Sequence, residues 1–295
     1  MKHDKRNLPL LVCMGMPKCG TTTLAHLLDQ QSALSVHTQK EPNDLLEVPL
    51  GEELPLAGYR ITESTRFLVD FSTIYGMASN RDRSFEFLRA AGLIGRTKAI
   101  VCLRNGAGLA ESFFRHMVTR RGYDPDADAE KIRSEIADTL DYREALRDVG
   151  QALGEENVFV TKLEDLKDHE GQTRTLRKIC DWLGVEMEKV QSSAALNAHG
   201  TARRFHPALH DLMMRLRRSS VVKSLPPSVR KSGARLLTRP AGTTDAAFDL
   251  ASWTDARTLR DSDALYDRLR TGPLAEQTDL DVVLHDPARS ERHQP

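Results

Sequence analysis

Nine residues near the start of the chain, Gly15-Met16-Pro17-Lys18-Cys19-Gly20-Thr21-Thr22-Thr23, combine glycines, hydroxyls and a single cation. Glycines at the two ends allow a tight turn and close approach of backbone to ligand, and Lys18 places a point charge within reach of the same anion. An apolar run precedes the loop and an amphipathic pattern follows it. The first amides of that helix would therefore face an anion with the positive end of the dipole behind them. This is phosphate-binding chemistry. The spacing from Gly15 to Gly20 invites comparison with the nucleoside-triphosphate loop GxxxxGK[ST], but Thr21 follows Gly20 and the lysine stands two residues before it. A kinase also needs a downstream strand ending in an acid for Mg²⁺, and no such strand end is expected here.

The elements that must position this loop read as an α/β alternation. Four short apolar runs have the pattern of buried strands: Leu8 to Met16, Phe67 to Val69, Thr97 to Leu103 and Asn157 to Leu163. Helical periodicity follows them, over Thr22 to Gln31, Gly108 to Arg120 and His169 to Leu183, and Ala129 to Leu153 reads as one long amphipathic helix. Alternating strands and helices build an open, mostly parallel sheet flanked by helices, which binds ligands at the carboxyl ends of its strands.

A lysine placed before the second glycine resembles the 5'-phosphosulfate loop of PAPS-dependent sulfotransferases, usually PKSGTT and here Pro17-Lys18-Cys19-Gly20-Thr21-Thr22. Other stretches fit the bacterial, glycan-type members, which have a P-loop-type fold. Arg104 at a strand end with Ser112 eight residues later is similar to the family's 3'-phosphate element, although Gly106 stands where the family has Pro. Lys40-Glu41-Pro42 matches KEP, Asp70-Phe71-Ser72-Thr73-Ile74-Tyr75 resembles D/E-x-S-x-x-Y, and Leu163-Glu164-Asp165-Leu166 resembles the EDL segment. The resemblance covers residues 8 to 184. It implies transfer of a sulfuryl group from PAPS, leaving PAP, to a hydroxyl of a carbohydrate or other small molecule, or to an amine. Pro17, Lys18, Cys19, Gly20, Thr21, Thr22 and Thr23 would then hold the 5'-phosphosulfate, with Lys18 on the leaving-group side. Arg104 and Ser112 would hold the 3'-phosphate, and Arg203 or Arg204 would close over it. Glu41 is the residue in the place of the family's general base, with His37 the alternative, and Asp70 and Ser72 fall beside the acceptor or Lys18. No metal is needed. A P-loop small-molecule kinase and a non-catalytic nucleotide- or anion-binding protein are the alternatives.

Composition adds limits. Lys and Arg total 42 and Asp and Glu total 42, which removes any argument from net charge for a nucleic-acid partner. Four scattered cysteines make no CxxC spacing, and the opening apolar run is followed by no cleavage site and is far short of the roughly 20 residues that span a bilayer. A reduced, cytoplasmic protein is expected. The sulfotransferase domain is expected over 1–240, with a basic helical segment at 196–240. Between Arg203 and Arg239 that segment sets ten basic residues against one acid, suited to an anionic acceptor or peripheral contact with membrane headgroups. An acidic extension, 241–295, follows, and its tail, 286–295, reads as disordered.

Overall fold

The computed structural model describes residues 5–188, 190, 203–205, 238–240 and 248–277. In chain order the elements are β1 (Leu10–Cys13), α1 (Thr21–Leu28), β2 (Leu34–Val36), α2 (Asp44–Glu47), β3 (Phe67–Asp70), α3 (Ala78–Ala90), β4 (Thr97–Leu103), α4 (Gly106–His116), α5 (Ala129–Leu140), α6 (Tyr142–Leu153), β5 (Val158–Lys162) and α7 (His169–Leu183). After them come the short antiparallel pair β6 (Arg203–Phe205) and β7 (Thr238–Pro240), then α8 (Leu250–Trp253), α9 (Ala256–Arg268) and β8 (Gly272–Pro273).

The main sheet has the order β2-β3-β1-β4-β5-β8, with five parallel strands and an antiparallel edge formed by β8. Strands β1 and β3 are buried at every position and β4 at all but Lys98, which explains their uninterrupted apolar sequences: both faces are covered by helices. After β1 the chain passes to one side of the sheet, towards β3 and β2, and after β4 to the other. The β1–β4 junction is thus the topological switch point, where open α/β sheets form their ligand crevice.

Three sequence expectations change. The run Leu8 to Met16 is regular strand only to Cys13, yet it keeps bonding to β4: Met14 N donates to Ile100 O at 2.9 Å, Met16 N to Cys102 O at 2.7 Å, and Cys102 N to Gly15 O at 2.8 Å. The long helix at 129–153 is two helices. Asp141 breaks it at φ −78, ψ 61, and its carboxylate accepts from Glu144 N to cap the second helix. Neither Gly nor Pro marks that break, and the apolar periodicity runs through it. Finally, β3 does end in an acid, Asp70, fully buried and engaged as described below.

Residues 248–277 of the acidic extension build onto the same body. β8 pairs with β5, Trp253 and Phe248 pack on Phe114, with ring centroids 4.6 and 5.4 Å away, and Ser262 Oγ donates to Leu140 O at 2.5 Å. The tail 286–295 and nearly all of the basic segment lie outside the described residues. Among the described residues no helix is long and apolar enough to cross a membrane.

Candidate active site

The loop leaving β1 is set by its glycines. Gly15, Lys18 and Gly20 all have positive φ (100, 70 and 84), and Gly20 caps α1 with no side-chain hydrogen bond to the helix. The amides of Thr21 to Thr23 therefore have no partner inside the helix and remain available to an anion. Gly20 is also required for packing, because a Cβ there would stand 2.9 Å from Leu163 Cδ1 and 3.1 Å from Leu166 Cδ1 of the EDL turn. Pro17 and Cys19 turn inward. The Cys19 thiol is fully buried, donates to Pro17 O at 3.6 Å and has its pKa pushed up by burial, so only its backbone can meet a ligand.

On the neighbouring strand end, the Arg104 side chain lies over the first turn of α4. A Cβ on Gly108 would stand 2.8 Å from Arg104 Nε, so this glycine is the cradle that admits the guanidinium. Asn105 caps the helix by accepting from Gly108 N at 2.8 Å, and Tyr142 OH donates to Arg104 O at 2.6 Å. Positions 104, 108, 112, 116 and 120 recur every four residues, close to one turn, and place Ser112, His116 and Arg120 along the Arg104 face. The π-helical turn Met117–Arg121, wider than an α turn, offsets the drift such a row would accumulate.

The two loops meet electrostatically. Burial lowers the Lys18 pKa first, then Lys40, Arg120 and Arg104, with only Glu41 opposing them. Among the described residues none of these four cations has a carboxylate within salt-bridge distance. His116 is pulled down to about 4 by burial and then by Lys18, Arg121, Arg120 and Lys40, which keeps its imidazole neutral in the same basin. A chain of zero net charge thus concentrates positive charge, unpaired among the described residues, at its switch point, an arrangement that a polyanion would relieve.

Glu41 reaches this basin from a strained turn, with φ 57 at Glu41 and 61 at Asn43. Asp70, Ser72 and Tyr75 hold that turn by hydrogen bonds. Ser72 Oγ donates to Asp70 Oδ1 at 2.6 Å and accepts from Asn43 N at 2.9 Å; Tyr75 OH donates to Asp70 Oδ2 at 2.5 Å and accepts from Leu45 N at 3.3 Å. Burial pushes Asp70 up to about 6, against the lowering effect of the Ser72 and Tyr75 hydrogen bonds. Thr73 Oγ1 donates to Glu41 Oε1 at 3.4 Å. His37 is occupied differently. Its Nδ1 lies 3.1 Å from Gln39 N, its Nε2 lies 4.0 Å from Asp44 Oδ2, and its ring stands edge-on to Tyr59 and against Gly58. A cavity of about 170 Å³ beside the loop is lined by Thr21, Thr22, Arg60 and Phe71 and by both candidate bases, His37 and Glu41.

The structure therefore brings Lys18, Glu41, Arg104 and the Thr21–Thr23 turn together, and adds Lys40, His116 and Arg120, which sequence reasoning did not assign. The one available signal for the last two was their spacing from Ser112. The backbone of Arg203 and Arg204 runs in β6 beside Met117–Arg121; their side chains are outside the description. Among the described residues no three His, Cys, Asp or Glu side chains converge to hold a metal ion.

Residues 9–204 match a protein family described as the sulfotransferase domain. Among solved structures, the chain is similar to a sulfotransferase from Alicyclobacillus acidocaldarius, at 19% identity and a TM-score of 0.49, over 77% of this chain and 98% of that one. It is also similar to the sulfotransferase domain of the olefin synthase of Synechococcus PCC 7002, at 19% identity and a TM-score of 0.47, over 92% and 98%. No curated protein matches it.

Proposed function

Given that the chain belongs to the sulfotransferase family, we propose that it transfers the sulfuryl group of PAPS to a hydroxyl or amine of a small or carbohydrate acceptor. The observation that carries this reading is the meeting of Lys18, Lys40, Arg104 and Arg120, unpaired among the described residues, with the free amides of the α1 turn. The donor has a 5'-phosphosulfate and a 3'-phosphate, and two cationic elements of the site support a seat for each. The Gly15–Thr23 loop would take the first, and the Arg104–Gly108–Ser112 face, where Gly108 leaves room for a planar guanidinium, would take the second. Arg203 or Arg204 would close over the 3'-phosphate side.

When bound, PAPS supplies the activated sulfuryl group. Lys18 would stabilise the charge that develops on the departing phosphate oxygen, a task suited to a half-buried ammonium already fixed by the loop. Glu41 would accept the acceptor's proton. Its place on the cavity wall and in the field of Lys18 supports it as the base, whereas the contacts of His37 with Gln39, Asp44 and Tyr59 support a packing role for that ring. The cavity walls mix Phe71, Thr22, His26 and Arg60, which fits a compact polar acceptor. Four cysteines, all buried and free, support a cytoplasmic setting.

The test is release of PAP from PAPS across a panel of sugar, phenol and amine acceptors, with labelled sulfur followed into product. Lys18→Ala is expected to lower kcat about 10²- to 10³-fold, the usual cost of losing one charge-stabilising donor. Glu41→Gln is expected to lower kcat about 10²- to 10⁴-fold with PAP affinity unchanged. Full activity of Glu41→Gln together with an inactive His37→Ala would transfer the base role to His37.

A further inference from the structure

The turn that aims Arg104 is held by a segment far away in sequence. Gly106 opens α4, and its backbone N–H donates to Asp263 Oδ1 of α9 at 2.7 Å, across 157 residues. A Cβ at Gly106 would stand 2.8 Å from Leu259 Cδ1 and 3.1 Å from Asp263 Oδ1, so α9 lies directly on the helix backbone there. Amides of a first helical turn have no acceptor inside the helix, and a carboxylate at that end is the strongest neighbouring acceptor, aided by the dipole. On the other side of the turn, Tyr142 OH binds Arg104 O at 2.6 Å. The stretch 104–106 is thus gripped by α6 through its first carbonyl and by α9 through its last amide. Gly106 and Gly108 are about 200° apart around a helix, so Asp263 approaches from the side opposite the Arg104–Gly108–Ser112 face and leaves that face open.

We infer that Asp263 is a positioning residue for the donor site, its carboxylate fixing the 104–106 turn so that Arg104 is presented beside Ser112 and Lys18. This rests on the donor reading above. Asp263 lies beyond residues 9–204, so the matched domain alone does not contain the whole of the site; the segment carrying α9 completes it.

The experiment is titration of PAP by calorimetry, with steady-state kinetics, for the parent protein, Asp263→Ala and Asp263→Asn. Loss of one charge-assisted hydrogen bond corresponds to about a tenfold change, so Asp263→Ala should weaken PAP binding and raise the donor KM by about tenfold. Its kcat and acceptor KM should stay close to parental. Asp263→Asn keeps an oxygen acceptor and should recover most of the lost affinity. PAP affinity within twofold of the parent in Asp263→Ala would overturn the inference. So would a fall in kcat with donor affinity intact in the folded fraction, because that marks a purely structural anchor. Failure of the parent itself to bind PAP would sink the donor reading, and this inference with it.

Discussion

At the scale of single residues, the site is governed by charges that lack counterions among the described residues. Lys40, Arg120 and Arg104 all act on Lys18, with Glu41 as the opposing carboxylate, and burial together with cationic neighbours keeps His116 neutral. This has a measurable pH signature. The folded His116 titrates at about 4 whereas an unfolded histidine titrates near 6.5, so between those values the unfolded chain binds a proton that the folded chain refuses. Stability should therefore fall as pH drops through that window. His116→Gln should flatten this part of the dependence, as read by denaturant unfolding at pH 7 and pH 5. An unchanged slope would mean that His116 is not held neutral.

At the scale of elements, α4 shows how donor recognition and helix stability can be separated. Gly108→Ala gains about 1 kcal/mol of helix propensity. The new Cβ would meet Asn105 Oδ1 at 2.5 Å, endangering a cap also worth about 1 kcal/mol, so net stability should change little. The same Cβ displaces the Arg104 guanidinium, and PAP affinity should fall about tenfold or more. Thermal unfolding and PAP titration on one sample check both halves. The parts of this element that were legible in the sequence were those encoded locally: Arg104 at the end of an apolar strand, Ser112 two turns on, and Lys18 before Gly20. Illegible were features created by distant contacts or by geometry without composition. Asp263 reaches Gly106 across 157 residues, and Asp141 ends a helix with no Gly or Pro to announce it. Asp70 and Ser72, expected beside the acceptor or Lys18, also hold the backbone at Asn43, a duty their motif does not reveal.

At the scale of the whole molecule, the topology explains why these loops cooperate. β1 and β4 are neighbours whose onward connections diverge, so the Gly15–Thr23 loop and the Arg104–Ser112 face border one crevice without obstructing it. The mostly parallel architecture was legible because buried strands announce themselves as continuous apolar runs. The two edge strands are absent from those four runs, because β2 is three residues, Leu34–Val36, and β8 is two, Gly272 and Pro273, too short to show a periodicity. Net charge was also a poor guide: 42 basic and 42 acidic residues balance overall while the crevice is locally positive. Binding there should be sensitive to salt. Raising ionic strength from about 0.05 to 0.5 M, which shrinks the Debye length from about 14 to 4 Å, should weaken PAP binding several-fold, as followed by titration.

The most direct test of the central claim, that the crevice is built for a 3'-phosphoadenosine donor, is a thermal-shift comparison of PAP with ATP plus Mg²⁺. At a concentration of about 100 times its Kd, a ligand specific to the folded state contributes about 2.7 kcal/mol, enough to raise the midpoint of a chain this size by about 4–5 °C. Such a rise is expected with PAP in the absence of any metal, and little or none with ATP and Mg²⁺. Selective stabilisation by ATP and Mg²⁺, with PAP inert, would contradict it.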